Sequence, residues 1–216
     1  MTSTALREFW RIGTKIVCVG RNYKEHALEL GNPIPKKPVI FVKTTNSYIT
    51  EGNSIKIPHG CKNLQQEVEL GVIFGKVAKC VKKADAMNYI AGYTVALDMT
   101  ARDFQNEAKS AGHPWFLAKS FDCSCPISGF IERSKIADPH NEELFCYING
   151  REQQRCKTNA MTFDIPTLIE YITQLVTMYP GDMLLTGTPA GVCKVESKDE
   201  IEFGLTKKIT AKFTID

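Results

Sequence analysis

The chain has 216 residues, of which 43% are hydrophobic and 24% are charged, the composition of an ordinary folded globular protein. Its 27 basic and 24 acidic side chains are spread along the sequence, so no basic block indicates a nucleic-acid tail. No apolar run approaches the roughly 20 residues that a membrane-spanning helix needs. We therefore expect neither nucleic acid nor a membrane as a partner.

The N-terminus and the cysteines bear on domain organisation and compartment. The eight cysteines form no CxxC pair and follow no secretory leader, which is typical of reduced intracellular thiols. Zinc binding by Cys123, Cys125 and His113 is an alternative, although their spacing matches no familiar zinc pattern. The first fifteen residues carry three basic side chains and one acidic one, which favours a mitochondrial leader or a plain N-terminal extension. We predict a leader or extension over residues 1–14, one domain over 15–216, and a mitochondrial location with the cytosol as the alternative.

Predicted strands outnumber predicted helices along the chain. Strand-like segments lie at 15–19, 38–43, 54–58, 67–75, 92–97, 127–131, 144–149, 183–187, around 201 and at 209–215. Helical patterns lie at 21–30, ended by Gly31, Asn32 and Pro33, at 84–90, at 101–112, and at 166–178, opened by Pro166. Thr100 and Asp103 resemble a capping box for the third helix and Gly112 a stop, while Asn149 and Gly150 predict a hairpin turn. Because strands and helices do not alternate regularly, we expect an α+β roll or sandwich instead of a doubly wound parallel sheet.

Two acidic residues interrupt the apolar stretch LQQEVELGVIFG at residues 64–75. Every second residue from Val68 to Phe74 is apolar, so Glu67 and Glu69 share the opposite face of the predicted strand. Two occluded carboxylates on one face require a cation, a shared proton or a basic partner. Asp98 ends another apolar run, and three carboxylates at strand ends form an oxygen-only site that suits Mg²⁺ or Mn²⁺. The alternative is that both glutamates lie on a solvated face and Asp98 caps the next helix.

Other side chains could complete an active site. His26 and Glu29 are three residues apart on the first helix, so Glu29 could orient the imidazole of a general base; the alternative is a surface pair. Lys119 follows the apolar segment WFLA and could meet a substrate carboxylate, or could be an ordinary strand-end lysine. The loop LLTGTPAG has neither a Walker A sequence nor a dinucleotide fingerprint, but its free backbone amides could hold an anion.

Five motifs in order, VGRNYKEH, EVELGVIFG, GYTVALDMTARDFQ, WFLAKSFD and GDMLLTGTPAGV, resemble the fumarylacetoacetate hydrolase family over nearly the whole chain. The resemblance implies a mainly β, mixed-sheet α+β sandwich roll of that family's C-terminal-domain type, with a few short helices. It implies that residues 15–216 are a catalytic domain that forms a homodimer. It also assigns roles: Mg²⁺, or alternatively Mn²⁺, on Glu67, Glu69 and Asp98; catalysis by His26, Glu29, Lys119 and Gln105; substrate binding by Arg21, Asn22, Gly187 and Thr188.

The implied substrate is a small 2-oxo acid with a second carbonyl or carboxyl group beta to the first. The implied reactions are hydrolysis of acylpyruvates to pyruvate and a carboxylic acid, decarboxylation of oxaloacetate through a metal-bound enolate, or both. Keto–enol tautomerisation of oxaloacetate, or a related isomerisation, is the alternative. Two hypotheses from other classes are a metal-binding scaffold without turnover and a metal-dependent phosphohydrolase.

Overall fold

The computed structural model describes residues 3–29, 31 and 33–216, and strands dominate its regular structure. The strands are β1 Ile16–Gly20, β2 Val39–Lys43, β3 Tyr48–Ile49, β4 Leu64–Gln66, β5 Val68–Phe74, β6 Ile90–Leu97, β7 Thr100–Ala101, β8 Cys125–Pro126, β9 Ile131–Glu132, β10 Glu143–Ile148, β11 Arg151–Lys157, β12 Met183–Leu185, β13 Cys193–Lys194, β14 Glu200–Leu205 and β15 Ile209–Thr214. The α-helices are α1 Ser3–Leu6, α2 Phe9–Ile12, α3 Lys24–Glu29, α4 Arg102–Ala111, α5 Phe116–Lys119 and α6 Ile165–Thr173. Short 3-10 helices lie at Thr45–Ser47, Lys83–Tyr89, Arg133–Lys135 and Thr158–Ala160.

Two sheets form the body of the protein. One has six strands in the order β2-β1-β12-β5-β6-β9, and the other has four in the order β11-β10-β14-β15. Neighbouring strands in both sheets are antiparallel except β1 and β12. Strand β10 packs on β5 and β14 on β6, so the sheets lie face to face. The predicted mixed-sheet α+β sandwich is therefore confirmed.

Strand β5 lies inside the six-stranded sheet and is buried on both faces. Val68 and every second residue after it belong to the core between the sheets, as the period of two predicts. Ile73 points to the other face, into a second core cluster. Glu69 alternates onto that second face and is 1% exposed, while Glu67 is 5% exposed. A solvated glutamate face, the alternative prediction, is therefore wrong.

The N-terminal residues pack against the same body. Phe9 in α2 is fully buried in the second core cluster, and its ring lies 5.8 Å from that of Tyr48 and 6.5 Å from that of Phe130. Arg7 forms an ion pair with Glu132 of β9. These contacts join the segment predicted as a leader or extension to the six-stranded sheet.

Several local predictions are confirmed by backbone geometry. Asn149 and Gly150 both have positive φ, 50° and 74°, which is the geometry of a type I′ hairpin turn. Gly112 ends α4 in the left-handed conformation at φ 69°. Pro166 lies in the first turn of α6, whose cap is Asp164.

Other local predictions are wrong. Thr100 does not cap α4 but lies in β7, and Asp103 accepts a hydrogen bond from the backbone of Lys62 instead of completing a capping box. The strand predicted at 54–58 is reduced to one bridge between Ile55 and Ile215. Of the strand predicted at 127–131, only Ile131 lies in a strand, β9, while Ile127 forms a single bridge to Ala96. The helix predicted at 84–90 is a 3-10 helix.

The predicted end of the first helix falls partly on Leu30 and Asn32, which lie outside the described residues. The longest described α-helix has ten residues. In the described part of the chain, no helix has both the length and the apolar character needed to cross a membrane.

Candidate metal centre and active site

Antiparallel pairing of β5 with β6 brings the three predicted carboxylates together. Val68 pairs with Leu97, and the backbone N–H of Asp98 donates to the carbonyl of Glu67 at 2.8 Å. Glu69 lies one pleat further along β5. Each of the three residues offers an oxygen within 4.8 Å of the others, and all three side chains are buried. The predicted triad therefore exists as a cluster in space.

Three buried cations face this triad. Lys119 Nζ lies 2.9 Å from Glu67 Oε2 and 2.6 Å from Asp98 Oδ2. Arg102 forms an ion pair with the other oxygen of Glu67. Lys43 Nζ lies 2.8 Å from Asp98 Oδ1. The cations surround two of the three carboxylates.

Glu69 has the backbone of Gly187 instead of a cation as its partner, since the Gly187 N–H donates to Glu69 Oε2 at 2.7 Å. Burial, followed by the charges of Asp98 and Glu67, raises the pKa of the Glu69 carboxyl well above its usual range. Burial would also raise the pKa of Glu67, but Lys119 and Arg102 outweigh it and hold that pKa well below its usual range. The triad thus combines Glu67, whose charged form is stabilised by two cations, with Glu69, whose charged form is disfavoured until more positive charge arrives.

The donor set fits a hard dication. All three ligands are carboxylates, and Mg²⁺ and Mn²⁺ prefer oxygen ligands. Lys43 approaches Asp98 Oδ1 closely but outside hydrogen-bond alignment, so this buried oxygen has no hydrogen-bond donor among the described residues. An added dication would supply that oxygen with a partner and would favour the charged form of Glu69.

Lys43 was not predicted as a site residue. In the structure its side chain is buried, with only 1% exposed. Its Nζ donates to the backbone carbonyls of Met99 at 3.2 Å and Ser124 at 3.0 Å, and also to that of Lys119. In the sequence it is simply a lysine that ends a strand, and only its burial in the fold distinguishes it.

Arg102 was also not predicted as a site residue. Besides its ion pair with Glu67, it donates to Gln65 Oε1 at 2.7 Å and to Gln105 Oε1 at 2.6 Å. Arg102 and Gln105 are three residues apart on α4 and therefore share a face of the helix, and this spacing was the sequence signal that could have identified Arg102. Gln105, predicted as catalytic, is held in place by this arginine.

The predicted dyad is assembled on α3. His26 Nδ1 lies 3.1 Å from Glu29 Oε2, and His26 is 3% exposed. Glu29 Oε1 accepts a hydrogen bond from the Gly191 N–H at 3.1 Å, which ties α3 to the loop after β12. With Nδ1 held by Glu29, Nε2 is the imidazole nitrogen available to the cavity. A plain surface pair does not describe this buried histidine.

A cavity of about 220 Å³ joins His26 to Glu67 and Glu69. Seven predicted residues line it: Arg21, His26, Glu67, Glu69, Gln105, Lys119 and Thr188. Six further residues line it: Val19, Gly20, Phe41, Arg102, Lys109 and Trp115. The structure thus brings the base, two of the three carboxylates and several cations around one small space, while Glu29 and Asp98 contact the lining residues His26 and Lys119.

Asn22 and Gly187, predicted as substrate-binding, lie outside the cavity lining. Asn22 is fully buried; its amide donates to the carbonyls of Phe163 at 3.0 Å and Thr186 at 2.8 Å. Gly187 has φ 98°, and a Cβ there would lie 2.7 Å from Asn22 Cβ. This packing fixes the loop whose Gly187 N–H donates to Glu69. Asn22 and Gly187 therefore hold the site in place without lining the cavity.

The zinc alternative gains no support from the fold. Within residues 3–29, 31 and 33–216, the acidic triad is the one cluster with the spacing of metal ligands, and Cys123, Cys125 and His113 do not belong to it. Cys123 and Cys125 are free thiols.

Comparisons with known proteins identify the family. The fumarylacetoacetate (FAA) hydrolase C-terminal family matches residues 15–215. The chain is 66% identical over 212 residues to oxaloacetate tautomerase fahd-1, mitochondrial, of Caenorhabditis elegans, which covers 98% of this chain and 99% of the relative. It is 48% identical over 202 residues to oxaloacetate decarboxylase, mitochondrial, of Dictyostelium discoideum, with 93% of each chain covered.

A solved structure agrees with these relatives. Fumarylpyruvate hydrolase from Pseudomonas aeruginosa, in complex with Mn²⁺ and pyruvate, superposes with a TM-score of 0.88 at 29% identity, covering 93% of this chain and 88% of that one. The sequence matches and this shared fold agree with the motifs and the acidic triad. The chain therefore belongs to the fumarylacetoacetate hydrolase family and is one of its enzymes.

Proposed function

We propose that the protein is a Mg²⁺-dependent oxaloacetate keto–enol tautomerase, with Mn²⁺ as the alternative metal. The observation that carries the proposal is the placement of His26, whose Nδ1 is held by Glu29, on the same small cavity as Glu67, Glu69 and Lys119. The cavity volume of about 220 Å³ lies below the roughly 300–1,000 Å³ of typical ligand sites, which favours a small acid. Relatives named as oxaloacetate tautomerases support the choice among small acids.

Tautomerisation moves one proton between carbon 3 and the 2-oxo oxygen of oxaloacetate. Glu67, Glu69 and Asp98 would hold the dication, which would supply Lewis-acid polarisation of the 2-oxo group. His26, oriented by Glu29, would take the proton from carbon 3 through Nε2, and the imidazolium would return it to the oxygen. Lys119 would stabilise the negative charge that develops on that oxygen between the two transfers, and Gln105 would position the substrate.

Cleavage of a carbon–carbon bond is the second candidate function. It is supported by the relative named oxaloacetate decarboxylase and by the likeness to a fumarylpyruvate hydrolase. In decarboxylation CO₂ leaves without attack by water, whereas in acylpyruvate hydrolysis His26 would take a proton from a water that attacks the distal carbonyl. Both routes would use the same carboxylates, and hydrolysis would also use His26 as its base.

One experiment separates these candidates. The purified protein is mixed with oxaloacetate or acetylpyruvate and Mg²⁺, with and without EDTA, while enol absorbance and pyruvate are both followed. Accelerated enol decay without pyruvate, abolished by EDTA, is the result expected for a tautomerase. Pyruvate formation would move the assignment to decarboxylation or hydrolysis. No acceleration with either acid would contradict the proposal.

Location and assembly complete the proposal. Because the relatives are named mitochondrial, we place the protein in mitochondria. We also propose a homodimer, since apolar side chains of edge strand β2 and of α5 are exposed, including Val42 at 48% and Leu117 at 74%. Light scattering should give about twice the 24.2 kDa chain mass, and a monomeric mass at all concentrations would refute the dimer.

A further inference from the structure

Two basic side chains on the cavity are not used by the acidic triad. Of the four that line it, Arg102 and Lys119 form ion pairs with Glu67. Arg21 and Lys109 have no carboxylate within ion-pair distance in the described part of the chain. Their positive charges are therefore not offset by the protein.

An aromatic wall places these charges at a distance from the triad. Lys119 Nζ lies 5.0 Å from the ring centroid of Phe41, next to the carboxylates. The rings of Phe41 and Trp115 are 5.8 Å apart, and Lys109 Nζ lies 5.4 Å from the centroid of Trp115. Lys119 is buried and Lys109 is exposed, so the wall runs from the inner end of the cavity to its mouth.

Arg21 lines the same cavity beside this wall. It follows Gly20, whose hydrogen position faces Phe41 and Trp115, since a Cβ there would lie 3.8 Å from each ring. Arg21 has φ 57°, a left-handed conformation that is unusual for a side chain of this kind. Burial, and then the charges of Arg102, Lys119 and Arg21, lower the pKa of the Lys109 ammonium, which agrees with a group of cations facing one another.

We propose that Arg21 and Lys109 form a subsite for a second carboxylate, so that the cavity selects 2-oxo dicarboxylic acids over 2-oxo monocarboxylic acids of similar size. The inference rests on the proposed function, because it supposes that the first carboxylate and the 2-oxo group of the substrate lie at the triad. A substrate in that position directs its other end along the wall of Phe41 and Trp115. Oxaloacetate carries a carboxylate at that end, whereas acetylpyruvate carries an uncharged acetyl group.

The binding test compares two ligands, malate and lactate, that differ by one carboxylate. Malate and lactate correspond to oxaloacetate and pyruvate with a hydroxyl in place of the 2-oxo group, and neither is a substrate for enolisation. Isothermal titration of the Mg²⁺-loaded protein should show malate binding at least about tenfold more tightly than lactate, the scale of a charge-assisted hydrogen bond. Arg21→Gln and Lys109→Gln should each reduce malate affinity about tenfold and change lactate affinity less than about twofold.

Turnover supplies the second readout and a matched control. In both variants the ratio of kcat/KM for oxaloacetate to that for acetylpyruvate should fall about tenfold. Lys62→Gln, which removes an exposed lysine outside the cavity, should change neither ratio nor affinity. If Arg21→Gln lowers the melting temperature because of its backbone conformation, Lys109→Gln on the exposed face of α4 carries the test alone.

The outcomes separate the subsite from the function. Equal binding of malate and lactate by the wild type, or equal losses of both in the variants, would overturn the subsite. A wild type that prefers malate but leaves oxaloacetate unchanged would keep the subsite and refute the proposed function.

Discussion

Replacing Lys43 by Met should cost the metal-free protein about 3–5 kcal/mol of unfolding free energy, the scale for breaking a buried ion pair from one side. The methionine keeps most of the side-chain volume, so the change removes the charge and the donors with little cavity. What remains is the Asp98 carboxylate with Lys119 but without the cation at 2.8 Å, and the carbonyls of Met99 and Ser124 without the Lys43 donor. For a chain of this size the loss corresponds to a fall of about 10 °C in melting temperature.

The measurement is urea unfolding in EDTA, followed by tryptophan fluorescence and circular dichroism. Lys83→Met is the matched control, because its ion pair with Asp164 is about half exposed and should contribute only about 0–1 kcal/mol. Lys43→Met combined with Asp98→Asn should recover part of the loss, since neither charge then stays buried alone. A loss below about 1 kcal/mol in the single variant would refute the reasoning that Lys43 neutralises Asp98.

Three further predictions concern the base, the metal and a helix cap. His26→Ala should lower turnover about 10²–10⁴-fold and leave the Mg²⁺ titration midpoint unchanged; unaltered turnover would exclude His26 as the base. Because the raised pKa of Glu69 keeps its carboxyl protonated below that pKa, Mg²⁺ binding should release a proton and weaken as the pH falls. Titration in buffers of different ionisation enthalpy measures this release, and Glu69→Gln should abolish it. Asp164→Ala should cost about 1 kcal/mol, since Asp164 accepts the Thr167 N–H at 2.8 Å. Burial would raise the pKa of Asp164, but hydrogen bonds from Thr167 and Lys83 lower it. The contribution of Asp164 to the free energy of unfolding is therefore fully present above the usual aspartate pKa, and it is lost as the pH falls through the lowered pKa.

The acidic triad was predictable because the period of two in β5 is a local property of the sequence. It placed Glu67 and Glu69 on one face, and the position of Asp98 at the end of another apolar run supplied the third carboxylate. The cations that balance them were less accessible, because Lys43 and Arg102 reach the triad only through the pairing of strands distant in sequence. Their residue types alone give no indication of burial.

The wrong prediction that Thr100 caps α4 has the same cause. Thr100 has the residue type and the position of a helix cap, and propensity alone predicts one. In the fold its hydroxyl instead accepts a hydrogen bond from Lys119 at 2.6 Å, beside the carboxylates. The contact with Lys119 replaces the expected helix cap. It could not be predicted locally, because Thr100 and Lys119 are 19 residues apart in the sequence.

The buried charges also determine how the protein can open. The triad and its cations come from segments spread between residues 43 and 119, and each charge depends on partners from another segment. If β2 or α5 detached alone, Asp98 or Glu67 would stay buried with one of its two cations removed, and that would cost several kcal/mol. Partial opening is therefore suppressed, and amide hydrogens of β5 and β6 should exchange with solvent only through global unfolding. The same arrangement that concentrates charge for chemistry makes the domain a single cooperative unit.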